Sequence, residues 1–86
     1  MSINKTIMEV KERVINLLSE KLGYDKLEIK ENQEFVSDLG TDSLDMAEIV
    51  MGIEDEFGLV ISDDEIMQVK TVGDLIKKIE NKRMGR

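Results

Sequence analysis

A serine just before an amphipathic segment is the side chain in this sequence that is best placed for chemistry. Ser43 lies in the run 38–44, which reads DLGTDSL. If a helix begins there, its unpaired N–H groups and the positive end of its dipole favour an anion, so a phosphate ester on the hydroxyl would be stabilised. The same residue types also suit an ordinary helix start, with Asp42 or Ser43 as the N-cap and Gly40 in the preceding turn. The run by itself leaves both interpretations open.

Several catalytic and metal chemistries are excluded by the composition. The 86 residues include no cysteine and no histidine, so neither a Ser-His-Asp or Cys-His arrangement nor the usual zinc ligand set can be assembled. Ser43 also lacks a Gly-x-Ser-x-Gly elbow, which argues against a hydrolase. The acidic run 63–65 is not part of a calcium loop with alternating oxygen ligands, a central glycine and a closing glutamate. We therefore expect neither an enzyme nor a specific metal site.

The charges are unevenly distributed along the chain. The net charge is −7, and residues 31–69 contain twelve acidic side chains and no basic one, whereas residues 70–86 contain six basic and two acidic side chains. A field of one sign repels nucleic acid and anionic membranes and attracts proteins with Lys/Arg patches. We therefore expect partners with basic surface patches, and no nucleic acid or membrane. The simpler alternative is that the acidic residues only keep the surface soluble.

Nothing in the sequence indicates a membrane segment or an export signal. No apolar run comes near the roughly 20 residues that span a bilayer. The N-terminus is polar and mixed in charge, and it lacks the apolar core of a signal peptide. We therefore expect a cytoplasmic protein.

Apolar periodicity predicts that the chain begins with an amphipathic helix. Apolar side chains recur at three- and four-residue steps over residues 7–22, and Gly23 follows as a stop. Thr6 and Glu9 form a capping-box pattern near its start. Ser2 or Asn4 could instead open the helix about one turn earlier.

Three further helices are expected in the second half of the chain. The second runs over residues 43–57 and ends at the glycine that follows, a suitable left-handed cap. Ser62 and Glu65 form a capping box before a short third helix. Thr71 caps a fourth helix, which we expect to fray in the basic tail 81–86.

Two segments between the helices are expected to reach the core without regular structure. The connection of about twenty residues between helices 1 and 2 is long for a compact domain. Its isolated apolar residues are expected to pin it to the core: Leu27, Ile29, Phe35, Val36 and Leu39. The run 59–61, LVI, has no second β candidate to pair with, so we expect a buried connector.

Together these elements predict an all-α fold. The expected architecture is a small four-helix bundle with a short third helix and a long loop between helices 1 and 2. Without repeats, proline or linker composition, residues 1–86 are expected to form a single domain.

The second helix has two unlike faces. At about 100° per residue, one arc is apolar and is expected to face the core. It comprises Met46, Ala47, Ile49, Val50, Ile53 and Phe57. The opposite arc comprises Asp45, Glu48, Gly52, Asp55 and Glu56, with Leu44 and Met51 at its edge. Exposed carboxylates beside large apolar residues are typical of a docking surface, and methionine adapts to several partners. Alternatively, the two edge residues pack under the long loop.

One run in the sequence resembles a motif of a known family. Residues 38–45, DLGTDSLD, resemble the phosphopantetheine attachment motif of acyl carrier proteins, in which Asp-Ser-Leu follows Asp-Leu-Gly. The similarity extends to Phe35-Val36, to residues 48–57 with their EDEF ending, to the acidic cap 61–65 and to Thr71-Val72. It covers nearly the whole chain, and the basic tail is left without an assigned role.

Two positions depart from the family pattern. Ser62 stands where the family often has proline. The serine removes a rigid turn but supplies a capping hydroxyl. Gly52 stands where alanine is more usual, and glycine weakens a helix interior by about 0.5–1 kcal/mol. Neither position touches the attachment motif.

The resemblance implies that the protein is a carrier and not a catalyst. A phosphopantetheinyl transferase would attach 4'-phosphopantetheine from coenzyme A to Ser43, and acyl chains would be carried as thioesters on its thiol. This agrees with a chain that has no cysteine of its own. The implied partners are the transferase and the enzymes of fatty acid or polyketide synthesis, bound by a monomer. Their basic patches would contact Asp42, Leu44, Asp45, Glu48, Met51, Glu54 and Asp55.

The resemblance also implies that the bundle opens to shelter the acyl chain. The residues expected to line that space are Phe35, Leu39, Met46, Val50, Ile53, Ile61 and Ile66. Each buried methylene would gain about 0.8 kcal/mol before the cost of separating the helices. A fatty acyl cargo is expected, and a specialised polyketide, aryl or aminoacyl unit is the alternative. A non-covalent acidic helical adaptor, with Ser43 as an ordinary cap, is the other alternative.

Overall fold

Four α-helices build the chain in the computed structural model, which describes the backbone of residues 2–85 and the side chains of residues 10–83. They are α1 (Ser2–Leu22), α2 (Ser43–Phe57), α3 (Asp63–Met67) and α4 (Val72–Gly85), with a short 3-10 turn at Lys26–Glu28 between α1 and α2. Within these residues there is no strand, and an isolated antiparallel bridge joins Glu34 to Thr71. The predicted all-α fold, with its short third helix and long first loop, is confirmed.

Helix α1 begins earlier, and α4 ends later, than the predicted limits near residues 6 and 81. α1 begins at Ser2, so the earlier of its two possible starts is the observed one, and the side chains of the Thr6–Glu9 pattern lie outside the described part. α4 continues to Gly85, so the prediction that it frays from residue 81 is wrong. The physical reason is tertiary contact, because Lys82 pairs with a glutamate of α3 and Arg83 lies over the Phe57 ring.

The predicted limits of α2 are confirmed, and its caps explain them. Asp42 is the N-cap: its carboxylate accepts the Asp45 N–H at 2.9 Å, and the Asp45 carboxylate accepts the Asp42 N–H at 3.2 Å. This reciprocal pair satisfies two donors that a helix start leaves unpaired. At the other end Gly58 adopts a left-handed conformation with φ of 65°, and its N–H donates to the Glu54 carbonyl.

The core is built from aliphatic side chains of α1, α2 and α4, closed by the long loop. Its fully buried members include Val14, Leu18, Ile49, Ile53, Val72, Leu75 and Ile79. Ile29, Phe35 and Leu39 pin the loop to this core as predicted. At about 25 cal/mol per Å² of apolar surface, burying each of these loop side chains stabilises the fold by roughly 1.5–3 kcal/mol.

Three other apolar residues expected inside are exposed. Leu27 is 82% exposed and Val36 is 71% exposed, so they do not pin the loop. Val60 is 74% exposed, which corrects the prediction of a fully buried 59–61 connector. Outside a helix the chain does not direct consecutive side chains to one side. Only Ile61 of that run is therefore buried.

The face of α2 that packs on α1 also differs from prediction. Gly52 was placed on the exposed arc, but it is half-buried, and an added Cβ would lie 3.0 Å from Leu17 Cδ1. Glu56 is bound by Arg13 of α1, whose Nε lies 2.7 Å from the carboxylate and whose Nη2 donates to the Glu56 carbonyl. The Arg13 guanidinium lies 4.5 Å from the centre of the Phe57 ring. This edge of α2 therefore contacts α1 at Gly52, while Glu56 is exposed as predicted and also pairs with Arg13.

We expect two glycine substitutions to have opposite effects on stability, because their neighbours differ. The Gly73 N–H donates to the Glu31 carbonyl at 2.8 Å, and an added Cβ would lie 3.1 Å from that backbone oxygen. At Gly52 the neighbour is only the mobile end of Leu17. Gly73→Ala should lose about 1 kcal/mol of unfolding free energy through this crowding. Gly52→Ala should be neutral or gain up to about 1 kcal/mol in helix propensity.

Urea denaturation followed by circular dichroism compares the two variants directly. A Gly73→Ala protein as stable as Gly52→Ala would contradict the proposed crowding of the loop carbonyl against α4.

Candidate functional site

Ser43 is the first residue of α2, and its side chain is exposed. Because Asp42 supplies the N-cap, the Ser43 hydroxyl is not needed to start the helix. Among the described residues that hydroxyl has no hydrogen-bond partner, and the N–H groups of Ser43 and Leu44 have no acceptor. A free hydroxyl therefore stands beside two free donors at the positive end of a helix.

A cavity of about 700 Å³ opens beside Ser43. One wall is α2, another is the loop at residues 34–36, and the third is the segment that contains α3. Most of its lining is aliphatic or thioether: Val36, Met46, Ala47, Val50, Met51, Ile61, Ile66, Met67 and Val69. Such a cavity can remove an apolar chain from water.

Five of the seven residues expected to line an acyl pocket lie in the walls of this cavity: Phe35, Met46, Val50, Ile61 and Ile66. Leu39 and Ile53 are not in the walls, because both are buried within the core behind them. The sequence reasoning missed Ala47, which is exposed on the cavity side of α2, and also Met67 and Val69. No local pattern marks these three, because their place depends on how α3 is set against α2.

Glu54 also faces this cavity, although it was expected on the docking face. Its carboxylate accepts the backbone N–H of Ile61 at 2.9 Å, and the side chain is partly buried. This hydrogen bond fastens the connector after α2 to the helix itself. The carboxylate is therefore already bound within the molecule, unlike those of Glu48 and Asp55.

The remaining docking residues form an exposed face next to Ser43. Leu44 is 67% exposed and Met51 is 63% exposed, so the alternative that they pack under the long loop is wrong. Glu48 and Asp55 are exposed, and neither has an ion pair or side-chain hydrogen bond among the described residues. Asp42 and Asp45, occupied in the cap of α2, complete the acidic edge.

Comparison with known proteins gives one consistent result. The family model described as "Phosphopantetheine attachment site" matches residues 12–79. The chain belongs to the acyl carrier protein family. It is 43% identical over 76 residues to the acyl carrier protein of Solidesulfovibrio magneticus, covering 88% of this chain and 97% of that protein. It is 40% identical over 74 residues to that of Thermotoga maritima, covering 86% and 91%.

A solved structure supports the same assignment. A chain from Mycobacterium tuberculosis that is described as an acyl carrier protein is similar with a TM-score of 0.78 and 34% sequence identity. The match covers 83% of this chain and 95% of that one. The group carried by this family is 4'-phosphopantetheine, whose thiol holds acyl chains as thioesters. Its members work with a transferase and with synthesis enzymes, so the acyl carrier role of this chain is shown by its family.

One ion pair of this acyl carrier domain ties α3 to α4. Lys82 Nζ lies 2.9 and 2.8 Å from the two carboxylate oxygens of Glu65, and both side chains are largely shielded from water. Glu65 also accepts the Ser62 N–H in the capping box of α3. The hydrogen bond from Lys82, helped by that of Ser62, lowers the pKa of Glu65 from 4.5 to about 2.

This lowered pKa predicts how stability changes in acid. A carboxyl group with a depressed pKa in the folded state stabilises the fold above its unfolded value, near 4.5 here, and loses that contribution as pH falls toward 2. Glu65→Gln should therefore be less stable than wild type at pH 6, and the difference should shrink steadily between pH 4.5 and 2. Melting temperatures across this range, with the exposed Glu12→Gln as control, measure it. A difference in melting temperature between wild type and Glu65→Gln that stayed constant down to pH 2 would contradict the proposed effect of the low Glu65 pKa on stability.

Other kinds of site are not found in the described part of the chain. No group of three or more acidic residues there is arranged to hold a metal ion. In the same residues no helix is both long enough and apolar enough to span a bilayer.

Proposed function

We propose that Ser43 is the residue to which 4'-phosphopantetheine is attached, and that the cavity beside it receives the acyl chain. The observation that carries the proposal is the free hydroxyl of Ser43, since Asp42 already caps α2. The residues present fit the group. The hydroxyl can form a phosphate ester, and the free N–H groups of Ser43 and Leu44 can donate to its oxygens.

The cavity supports an aliphatic cargo. Its walls carry nine aliphatic or thioether side chains, and Phe35 is the one aromatic side chain that lines it. An unbranched acyl chain would gain roughly 0.8 kcal/mol for each methylene that it buries there. An aminoacyl unit would instead place a charged amine against mostly apolar walls, where only the carboxylates of Glu34, Glu54 and Asp63 could pair with it. We therefore infer that the chain serves fatty acid synthesis, and not an aminoacyl pathway.

The exposed face of α2 supports docking by basic enzyme surfaces. The carboxylates of Glu48 and Asp55 are unpaired within the described residues, and Leu44 and Met51 stand beside them as apolar anchors. We propose that the transferase and the synthesis enzymes bind here through Lys/Arg patches. Glu54 contributes less than the sequence suggested, because its carboxylate already holds the Ile61 N–H.

The proposal also covers the domain organisation, oligomeric state and location of the protein. Residues 1–86 act as a single carrier domain, of which the family match covers residues 12–79. The protein works as a monomer in the cytoplasm and catalyses no step itself, since the enzymes that it visits do the chemistry. Size-exclusion chromatography with light scattering tests the monomer.

The carrier function is tested by loading the protein outside the cell. Unmodified protein is incubated with coenzyme A and a broad-specificity phosphopantetheinyl transferase, and its intact mass is measured. We expect one phosphopantetheine per chain and a single new thiol, which is otherwise absent from a protein without cysteine. Protein that gains no mass under conditions that load a known carrier would contradict the proposal.

A further inference from the structure

The segment 61–70, which contains α3, forms one wall of the cavity and is bound to the rest of the protein at both of its ends. We call it the wall segment. At its start the Ile61 N–H donates to the Glu54 carboxylate, and at its end the Lys70 carbonyl accepts the Phe35 N–H at 3.0 Å. Ile66 packs on the core, but Met67 is 81% exposed. α3 itself has only five residues and is too short to be stable alone.

Between these two ends, the shortest polar contact from α4 to the segment is made by a side chain of the basic tail. Lys82 of α4 contacts both carboxylate oxygens of Glu65, seventeen residues away in sequence. Lys78 makes a weaker contact, with its Nζ 3.3 Å from the amide oxygen of Gln68. Glu65 is also the residue that closes the capping box of α3, so Lys82 holds the carboxylate on which that short helix depends.

We propose that Lys82 is a positioning residue for the cargo: its contact with Glu65 holds the wall segment against the cavity, and loss of the contact lets the segment swing away. This inference rests on the proposed role of the cavity as the shelter of the acyl chain. The fixed points at Ile61 and Lys70 then act as the two ends about which α3 moves. The basic tail, to which the sequence assigned no role, thereby controls how firmly the acyl cargo is held.

An ion pair suits this task better than further apolar packing would. Each partner keeps about a quarter of its side chain exposed, so water and salt compete with the contact. Apart from Ile61 at its fixed start, the wall segment contributes only partly buried side chains to the core, those of Ile66 and Val69, so α3 can move away without unfolding the rest of the core. The low pKa of Glu65 agrees with a carboxylate that stays charged and paired.

The first test measures motion of the wall segment in protein without cargo. Hydrogen–deuterium exchange of the amides in 63–69 is compared for wild type, Lys82→Met and Lys82→Arg, with Lys77→Met as the matched control on the same helix. Lys77 is exposed, and among the described residues it makes no hydrogen bond or ion pair with the wall segment. We expect Lys82→Met to speed exchange in 63–69 about tenfold. Core amides of α1 and α2 should be unchanged, and Lys82→Arg should restore most of the protection.

The second test measures shelter of the cargo itself. Wild type and variants are loaded with acetyl or octanoyl groups, and cleavage of the thioester by hydroxylamine is followed by intact mass. We expect the octanoyl thioester of wild type to be cleaved several-fold more slowly than the acetyl thioester. This difference should be lost in Lys82→Met and kept in Lys82→Arg and Lys77→Met.

The outcomes separate the two proposals. If wild type protects octanoyl no better than acetyl, the cavity is not the shelter and the proposed cargo function fails. If wild type protects octanoyl and Lys82→Met protects it equally, with unchanged exchange in 63–69, the cargo function stands and the role of Lys82 is overturned. If core amides also exchange faster in Lys82→Met, the Lys82→Arg protein decides: rescue supports the ion pair, and no rescue rejects it.

Discussion

Ser43→Ala should take up no phosphopantetheine, whereas wild type takes up one group per chain. The reason is chemical, because alanine has no oxygen to attack the activated phosphate of coenzyme A. The loss should be complete, with no gain in intact mass after prolonged incubation with excess transferase. The variant should still fold normally, since the Ser43 hydroxyl is exposed and makes no hydrogen bond within the described residues. A surface change of this kind alters stability by at most about 0.5 kcal/mol.

Two other serines provide matched controls for this experiment. Ser62 lies at the start of α3, where its hydroxyl caps the helix, and the exposed Ser37 donates to the Glu34 carboxylate. Ser62→Ala and Ser37→Ala should therefore each gain one phosphopantetheine. Loading of Ser43→Ala would show that another hydroxyl is the attachment point. Far-UV circular dichroism confirms that the variant is folded when loading is measured.

Reversing two charges on α2 should slow loading by about 10- to 100-fold in kcat/KM, because charged surfaces steer encounter and set on-rates. Glu48→Lys/Asp55→Lys is the variant of choice, since both carboxylates are exposed and take no part in a cap or ion pair of the described chain. The two positions are seven residues apart and so lie on one face of the helix, about two turns from each other. The effect should fall on the encounter with the transferase and leave the final extent of loading unchanged.

A control on α1 separates local docking from total charge. Glu12→Lys/Glu20→Lys changes the net charge by the same amount, and both of these glutamates are exposed. We expect the control to load within about threefold of wild type, because those charges lie outside the docking face. Added salt should narrow the gap between wild type and Glu48→Lys/Asp55→Lys. Equal slowing of both double variants would mean that only net charge matters and that α2 is not the docking face.

The two sides of α2 beside Ser43 explain how one small domain can both hold a cargo and offer it to enzymes. Its exposed acidic edge is the proposed docking face, while Met46 and Val50 face the cavity proposed for the cargo. Met51 belongs to both, because it lines the cavity and is also exposed. A side chain with three flexible bonds suits this double position. The proposed docking face and the proposed cargo cavity are therefore adjacent on one helix.

Local rules account for the parts of the fold that were predicted correctly. The start of α2 follows from Asp42 and Asp45, and the start of α3 follows from Ser62 and Glu65, each pair three residues apart. Such caps involve only neighbours in sequence, so a short pattern specifies them. The end of α2 follows from Gly58, because few residues other than glycine accept its positive φ.

Parts of the site could not be read from such patterns. A helical wheel placed Gly52 on the open face, but Leu17 of α1 packs against it, and the wheel could not show that Arg13 of α1 pairs with the exposed Glu56. The family resemblance placed Glu54 on the docking face, but its carboxylate accepts a hydrogen bond from the Ile61 N–H, in the connector that follows α2. The wheel specifies the angle between side chains on one helix. It does not specify which neighbouring element lies at each angle.

By itself, the sequence determined an acidic, all-α chain with a serine at the start of its second helix, and the resemblance of its motif added the carrier family. Those properties depend on charge, on composition and on contacts between residues three or four apart. Only the tertiary structure decided which apolar loop residues are buried and that Lys82 holds Glu65. Such choices depend on how whole helices are set against one another, and long side chains find partners that no short sequence pattern specifies.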